Sequence, residues 1–245
     1  MIKTAIVGYG KMGKEIESIL DRNVFTLTGT YDIDNKIRDN MKEKPEVAIE
    51  FSTPSSMFEN IEFLASKNIN IVCGTTGWYD KIESVKKLVE KNNIGFIYAS
   101  NFSLGVNIFY SIVKYAAGIF NKFEGYDLAV EDIHHRQKLD RPSGTALKLA
   151  EILMQMIKRK EKIGRGSQTD TGLQREGKLL DVTSTRVGGV VGIHKVMFDS
   201  PSDSILLEHS AKSRRGFAEG ALLAAKFIYN KKGFYKFEEI FNNLI

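Results

Sequence analysis

Five short apolar runs punctuate the first hundred residues, at 4–7, 25–30, 47–51, 69–73 and 95–99, and they are rich in valine and isoleucine. Between them lie stretches with helical spacing, such as Met12, Ile16, Ile19 and Leu20, and later Ile82, Val85, Leu88 and Val89. Apolar strands separated by amphipathic helices predict a parallel sheet covered on both faces, an α/β, doubly wound architecture of Rossmann type. After Asn101 the rhythm changes. The spacing predicts a helix over 104–120, a strand over 126–134 and a helix over 145–158, then a Gly-, Ser- and Thr-rich loop from 164 to 177. Strand patterns follow at 181–187, 190–198 and 204–211, the last two joined by a turn at Ser200-Pro201-Ser202-Asp203. Neighbouring strands without helices between them predict a smaller α+β domain with an antiparallel or mixed sheet. A helix over 217–229 and a short tail around 237–244 close the chain.

Composition narrows the class without changing this picture. The 245 residues are 42% apolar and 27% charged, as in ordinary globular proteins. No apolar run is long enough to span a bilayer, and residues 3–8 read as a first strand, not a signal peptide. The single cysteine, Cys73, excludes an intrachain disulfide and fits a reducing compartment, so a cytoplasmic location is expected and no membrane partner. The net charge of +5 is spread along the chain, which argues against nucleic acid. Its densest cluster, Lys158-Arg159-Lys160 with Lys162 and Arg165, falls where a helix should end and suits the helix dipole. An anionic small molecule would draw on the same positive field.

The first strand runs straight into Gly8-Tyr9-Gly10-Lys11-Met12-Gly13, which opens a helix. In that context Gly8 permits a tight turn, Gly10 lets the backbone approach a pyrophosphate, and Gly13 lets the helix pack on the strand. Asp32, 24 residues after Gly8, ends the second strand, where a carboxylate can accept both ribose hydroxyls of an adenosine. The alternative is that the glycines serve only a turn. Gly74-Thr75-Thr76-Gly77 and Ala99-Ser100-Asn101-Phe102 end the fourth and fifth strands, where ligands of open parallel sheets bind, although plain turn chemistry uses the same residues.

The densest chemistry lies between Glu131 and Ala146. Two of the four histidines, His134 and His135, fall within five residues of Arg136 and Lys138, just before a helix start. This combination offers a proton donor near neutral pH and cations for an anionic substrate. His134 and Lys138 are expected in a partly exposed loop. Ser143-Gly144-Thr145 puts helix-terminal N–H groups and a hydroxyl where a carboxylate can dock, the alternative being that Ser143 only caps the helix. Adjacent histidines point different ways and no HxH or HxxxH spacing occurs, so no metal is expected. An exposed polar loop is the bland alternative for the whole stretch.

From His134 to Ala146 the sequence matches H-H-x-x-K-x-D-x-P-S-G-T-A, and with it resembles the 4-hydroxy-tetrahydrodipicolinate (dihydrodipicolinate) reductase family of lysine and diaminopimelate biosynthesis. G-T-T-G at 74–77, S-N-F-S at 100–103, and Arg186-Val187-Gly188-Gly189 with Gly192 and His194 extend the likeness over nearly the whole chain. The resemblance implies a two-domain, typically tetrameric enzyme that reduces a cyclic dicarboxylic imine derivative with NADH or NADPH. It implies His134 as proton donor or acceptor, Lys138 as a second donor, and His135, Gly144 and Thr145 as substrate ligands. Val7 to Met12, Asp32, Gly74 to Thr76 and Ala99 to Phe102 would border the cofactor. The last helix would return to the first domain, giving 1–102 with 216–245 for the dinucleotide and 103–215 for substrate and oligomerisation. Two departures stand out: Glu50-Phe51-Ser52 replaces the expected Asp-Phe-Ser/Thr, and Ile33 follows Asp32 where NADPH users carry arginine, which favours NADH. Another small Rossmann dehydrogenase, acting for instance on an amino acid, and a non-enzymatic NADH-binding redox sensor are the rival readings.

Overall fold

The early apolar runs form strands β1 (Ile2–Val7), β2 (Phe25–Tyr31), β3 (Val47–Glu50), β4 (Asn70–Cys73) and β5 (Gly95–Tyr98) in a computed structural model that describes residues 1–165 and 177–244. The later strands are β6 (Asp127–His134), β7 (Lys162–Arg165), β8 (Leu179–Arg186), β9 (Gly192–Asp199), β10 (Ser204–Ala211) and β11 (Gly233–Lys236). The helices are α1 (Lys11–Ser18), α2 (Ile37–Asn40), α3 (Pro54–Ser66), α4 (Ile82–Asn92), α5 (Leu104–Phe120), α6 (Gly144–Met156), α7 (Arg215–Ile228) and α8 (Phe237–Leu244). The chain divides into two units, Met1–Leu104 with Arg214–Ile245, and Gly105–Ser213.

In the first unit six strands pair in the order β11-β5-β4-β3-β1-β2, every pair parallel. Strands β3, β4 and β5 are buried at every position, because helices cover both faces. Ile6, Val47, Ile49, Val72 and Ile97 point to one face and meet Ile16 of α1 with Ala221, Ala225 and Ile228 of α7. Ala5, Ala48, Ile71 and Phe96 point to the other and meet Met57, Ile61 and Leu64 of α3 with Val85 and Val89 of α4. Burying each of the larger side chains contributes about 1.5–3 kcal/mol. Local signals set the helix ends: Pro54 occupies the first turn of α3, and Asn93 caps α4 at φ 48°.

The sequence pattern misses β11, whose four residues follow a lysine-rich turn and carry no alternation. It is held as the sixth strand by its ladder with β5 and by Asn70. The Asn70 amide donates to the carbonyls of Ile228 and Tyr229 at 2.7 and 2.8 Å and accepts from Gly95 N–H at 2.8 Å.

The second unit is a mixed sheet, β10-β9-β6-β8-β7, with β6–β8 and β8–β7 parallel and β6–β9 and β9–β10 antiparallel. One face packs through Leu128, Val130, Leu180, Val182, Val196 and Phe198 on Val106, Phe109 and Val113 of α5 and on Leu149 and Leu153 of α6. The loop expected from residue 164 is corrected at its start. Residues 162–165 form β7, while 166–176 lie outside the described residues. The basic cluster after α6 is also more internal than a solvated helix end. Lys158 Nζ does donate to Gln155 O at 3.1 Å, but Lys160 is buried, pairing with Asp127 and donating to Leu179 O at 2.7 Å.

Helix α7 lies so close to Phe102 that a Cβ at Gly220 would collide with the Phe102 carbonyl. Gly220→Ala is therefore expected to cost about 1–3 kcal/mol in urea unfolding. Gly118→Ala in α5, where the added methyl would meet only the Met156 side chain at 3.4 Å, should instead be neutral or stabilising by up to about 1 kcal/mol. Equal effects at the two glycines would contradict this packing.

Candidate functional site

Strand β1 pairs with β2 on one side and β3 on the other, so its carboxyl end is the topological switch point of the sheet. Gly8 stands there at φ 92°, donates its N–H to Tyr31 O at 2.8 Å, and leaves no room for a Cβ against the Phe51 backbone. A Cβ at Gly13 would lie 2.5 Å from Gly8 O, so the helix packs directly on the turn. Gly10, the residue that caps α1, faces open space, and no side chain caps that helix. Uncapped N–H groups behind a bare glycine form a cradle that fits a dinucleotide pyrophosphate.

An open pocket of about 320 Å³ adjoins the turn. Of the expected cofactor residues, Val7, Gly8, Gly10 and Asp32 line it. Gly13 lies under the turn, Met12 packs on the core, the Tyr9 hydroxyl donates to Glu17, and Lys11 is exposed. The pocket also takes Lys36 and Ser52, and with them Ser56, Glu59 and Asn60, which the sequence reading did not name. Their signal was positional: β3 borders the switch point, and the start of α3 follows it. Arg38 is engaged with Glu59. Lys36 makes no ion pair among the described residues.

Gly74, Thr75 and Thr76 follow β4, and Ala99, Ser100, Asn101 and Phe102 follow β5, all at the same carboxyl edge. Thr75 is buried and its hydroxyl donates to Glu50 at 2.7 Å, whereas Thr76 and Ser100 are exposed. Ala99 and Phe102 are turned into the core, and Asn101 accepts from Ser103 N–H at 2.8 Å.

In the second unit, register gathers the chemistry. Asp132 of β6 stands opposite Ser184 of β8 and His194 of β9, and His134 opposite Arg186. Asp132 is fully buried; His134 Nδ1 lies 2.9 Å from its Oδ2, Arg186 Nη1 3.3 Å from the same oxygen, and Ser184 Oγ donates to Oδ1. Burial alone would raise this carboxyl's pKa. The His134 and Ser184 donors and the Arg186 charge outweigh it and hold the group well below the usual carboxylate range.

The expectation of a partly exposed loop is corrected for His134, which ends β6 with its side chain 9% exposed. The β6–β8 ladder carries it into the sheet. Lys138 does lie in the following turn, 2.9 Å from Asp140 Oδ1 and one quarter exposed. Arg186 ties that turn down by donating to Lys138 O at 3.3 Å and to Asp140 O. His135 is half-buried, and its Nδ1 has no hydrogen-bond partner among the described residues.

Ser143 caps α6 by accepting from Ala146 N–H at 3.2 Å, and its hydroxyl also lies 3.3 Å from His194 Nε2. It is buried, and the Gly144 N–H is directed at Asp140, which lowers that carboxyl's pKa further after Lys138 has offset its burial. The helix N-terminus is thus already served by two of the chain's own groups. A Cβ at Gly144 would meet nothing within 4 Å among the described residues.

Donor atoms of Asp132, His134 and His194 fall within 4.8 Å of one another, a spacing that metal sites use. The Arg186 guanidinium against the same carboxylate already supplies positive charge there, and a second cation would be repelled.

A doubly wound parallel sheet with a glycine turn at its switch point, joined in one chain to a unit with a buried carboxylate–histidine pair, defines a two-unit Rossmann-type oxidoreductase. Known proteins place it further. Residues 2–102 match the family model "Dihydrodipicolinate reductase, N-terminus", and residues 105–241 match "Dihydrodipicolinate reductase, C-terminus". A 4-hydroxy-tetrahydrodipicolinate reductase of Christiangramia forsetii is 38% identical over 240 residues, 98% of each chain. That of Archaeoglobus fulgidus is 41% identical over 222 residues, 87% of this chain and 82% of its own. A dipicolinate-bound dihydrodipicolinate reductase from a Paenisporosarcina species superimposes with a TM-score of 0.76 at 25% identity, covering 98% of this chain and 99% of its own. The chain belongs to the dihydrodipicolinate reductase family. No helix among the described residues is long and apolar enough to cross a membrane.

Burial holds the His194 imidazole far below its ordinary 6.5, at about 3, with repulsion from His134 adding to it. Below pH 6.5 the unfolded chain binds a proton here that the folded chain refuses until about pH 3, so stability falls with pH through that window. From pH 7 to 5 this residue should account for a loss of up to about 2 kcal/mol. His194→Gln should lack that component when urea midpoints are compared at the two pH values. An identical loss in both proteins would refute it.

Proposed function

We propose that the protein reduces 4-hydroxy-tetrahydrodipicolinate, a cyclic dicarboxylate, to tetrahydrodipicolinate, with hydride and a proton added and the 4-hydroxyl lost as water, in lysine and diaminopimelate biosynthesis, in the cytoplasm. The observation that carries the reading is the Asp132–His134–Arg186 cluster, which stands immediately before a turn bearing His135 and Lys138 and the start of α6. The rival readings, an amino-acid dehydrogenase and a redox sensor, leave that cluster without a task.

A nicotinamide cofactor bound to the first unit would supply hydride. Gly8, Gly10 and the start of α1 would hold its pyrophosphate and Asp32 its adenosine ribose, with the turns after β4 and β5 bordering the other end. Asp132 faces Nδ1 of His134 and fixes the proton there, which leaves Nε2 to deliver or accept the catalytic proton. A Cβ at residue 192 would lie 3.0 Å from Nε2, so Gly192 keeps that nitrogen uncovered. Arg186 balances the Asp132 charge whether His134 is protonated or not. Lys138, His135, Gly144 and Thr145 would take a substrate carboxylate, which must compete with Asp140 for Lys138 and the helix end. Ser143 would act through the helix cap and His194 and not by direct contact. The protein would work as a homotetramer; exposed Met197 of β9 and Ile205 and Leu206 on the edge strand β10 support that reading.

The reaction is tested by following NADH absorbance with and without the substrate. Turnover should require the substrate, and His134→Gln should lower kcat by roughly 10²–10⁴-fold, the range for a lost general acid. Because His134 is buried against Asp132, the variant should also melt somewhat earlier. Near-normal kcat in the folded variant would remove the assignment.

For the cofactor, we propose that NADH serves at least as well as NADPH. Asp32 would repel a 2′-phosphate, Ile33 offers it no partner, and Arg38 is occupied by Glu59. Lys36 is the cation left in the pocket, so Lys36→Ala should reduce kcat/KM for NADPH more than for NADH. A tenfold preference of the unmodified protein for NADPH, about 1.4 kcal/mol, would overturn this.

A further inference from the structure

Glu50 is a carboxylate with no exposed surface, placed at the last position of β3 between β1 and β4. Among the described residues no basic side chain pairs with it, and Ser52, Asn60, Thr75 and Cys73 are its side-chain hydrogen-bond partners. A buried carboxylate met only by neutral donors is costly, and burial raises its pKa against the lowering effect of those bonds. Such a group is retained where its geometry does something that an apolar residue cannot.

The geometry joins two turns. Oε1 accepts from Ser52 N–H at 3.2 Å and from the Ser52 hydroxyl, in the turn that follows β3. Oε2 accepts from the Thr75 hydroxyl at 2.7 Å, in the turn that follows β4. The backbone repeats the link, since Gly74 N–H donates to Glu50 O at 2.8 Å. Asn60 of α3 reaches both Ser52 Oγ, at 3.2 Å, and Glu50 Oε1, at 3.5 Å. Ser52, Phe51 and Asn60 line the pocket beside Gly8, so the carboxylate stands directly behind the wall of that pocket.

We propose that Glu50 is a positioning residue of the cofactor site, its buried carboxyl group clamping the Phe51–Ser52 and Gly74–Thr75 turns in the spacing that receives the dinucleotide. This rests on the reading of the first unit as the cofactor-binding unit. The clamp depends on reach and on bonds to both turns, not on negative charge. An amide of the same length can accept from Ser52 N–H and donate to the Thr75 hydroxyl, whereas a carboxylate one methylene shorter cannot span both.

Three variants of the full chain separate these features, read by the Kd for NADH from cofactor fluorescence, by kcat and by Tm. Glu50→Ala should raise the Kd for NADH at least tenfold while kcat at saturating NADH stays within about threefold. Glu50→Gln should bind NADH within about threefold of the unmodified protein, and Glu50→Asp more weakly than Glu50→Gln. Glu50→Ala that melts earlier yet binds NADH normally would overturn the proposal, because Glu50 would then be only a packing residue. If Glu50→Ala does not fold, the order of the other two decides: Glu50→Asp binding as tightly as Glu50→Gln, or tighter, overturns the clamp. Failure of the unmodified protein to bind NADH would instead remove the reading on which the proposal rests.

Discussion

A carboxylate removed from water must be answered by donors and by charge, and Asp132 is the place in the second unit where this requirement organises everything around it. His134, Ser184 and Arg186 arrive from β6 and β8, and their register is what the carboxylate needs. Arg186 in turn holds the carbonyls of Lys138 and Asp140, so the shape of the turn after β6 follows from the same buried charge. His194, opposite Asp132 on β9, remains neutral and links the cluster to α6 through Ser143. One ion cluster thereby orders a strand end, a turn and a helix start.

The first unit reaches a comparable end by steric means. At the switch point three segments crowd together: Gly8 against Phe51, Gly13 against Gly8, and Gly74 against the Phe51 ring. Only residues without a side chain allow this approach, and the result is a backbone-lined cradle at the start of α1. Glu50 adds the polar counterpart, fastening the turns that the glycines bring near. Packing and hydrogen bonding therefore both act on the turns after β3 and β4.

The sheet and helices of both units were legible because burial on two faces, or on one, leaves periodicities that a single sequence displays. The mixed sheet could be read from strands without intervening helices, and Gly8, Gly10 and Asp32 from their spacing alone. What escaped was whatever depends on distant partners. Strand β11 has four residues with no alternation, and it is the ladder with β5, with Phe234 stacked on Phe96, that makes it a strand. His134 looked like a loop residue because polar residues surround it, but its neighbours across the ladder bury it. Asp132 drew no notice, since an acid two residues before a histidine is unremarkable until the register of β8 brings an arginine to it. The pocket wall at Ser56 and Asn60 was hidden for the same reason: its residues matter through their place beside β1.

At the start of α6, two of the groups proposed to take a substrate carboxylate already have a partner in the chain itself. Lys138 and the Gly144 N–H face Asp140, and Ser143 caps the helix, so these groups are answered in the free protein. A carboxylate from substrate would make the same kinds of bond that Asp140 makes, and exchanging one anion for another changes the charge balance little. An unanswered cation and bare helix end would bind anions indiscriminately and would destabilise the fold. An internal carboxylate removes both problems, and in the proposed reading it would leave selection to shape and to the His134 side chain. In the proposed reading, docking would depend on what the second carboxylate and the ring contribute beyond this exchange, and such a site would favour a dicarboxylate over a simple anion.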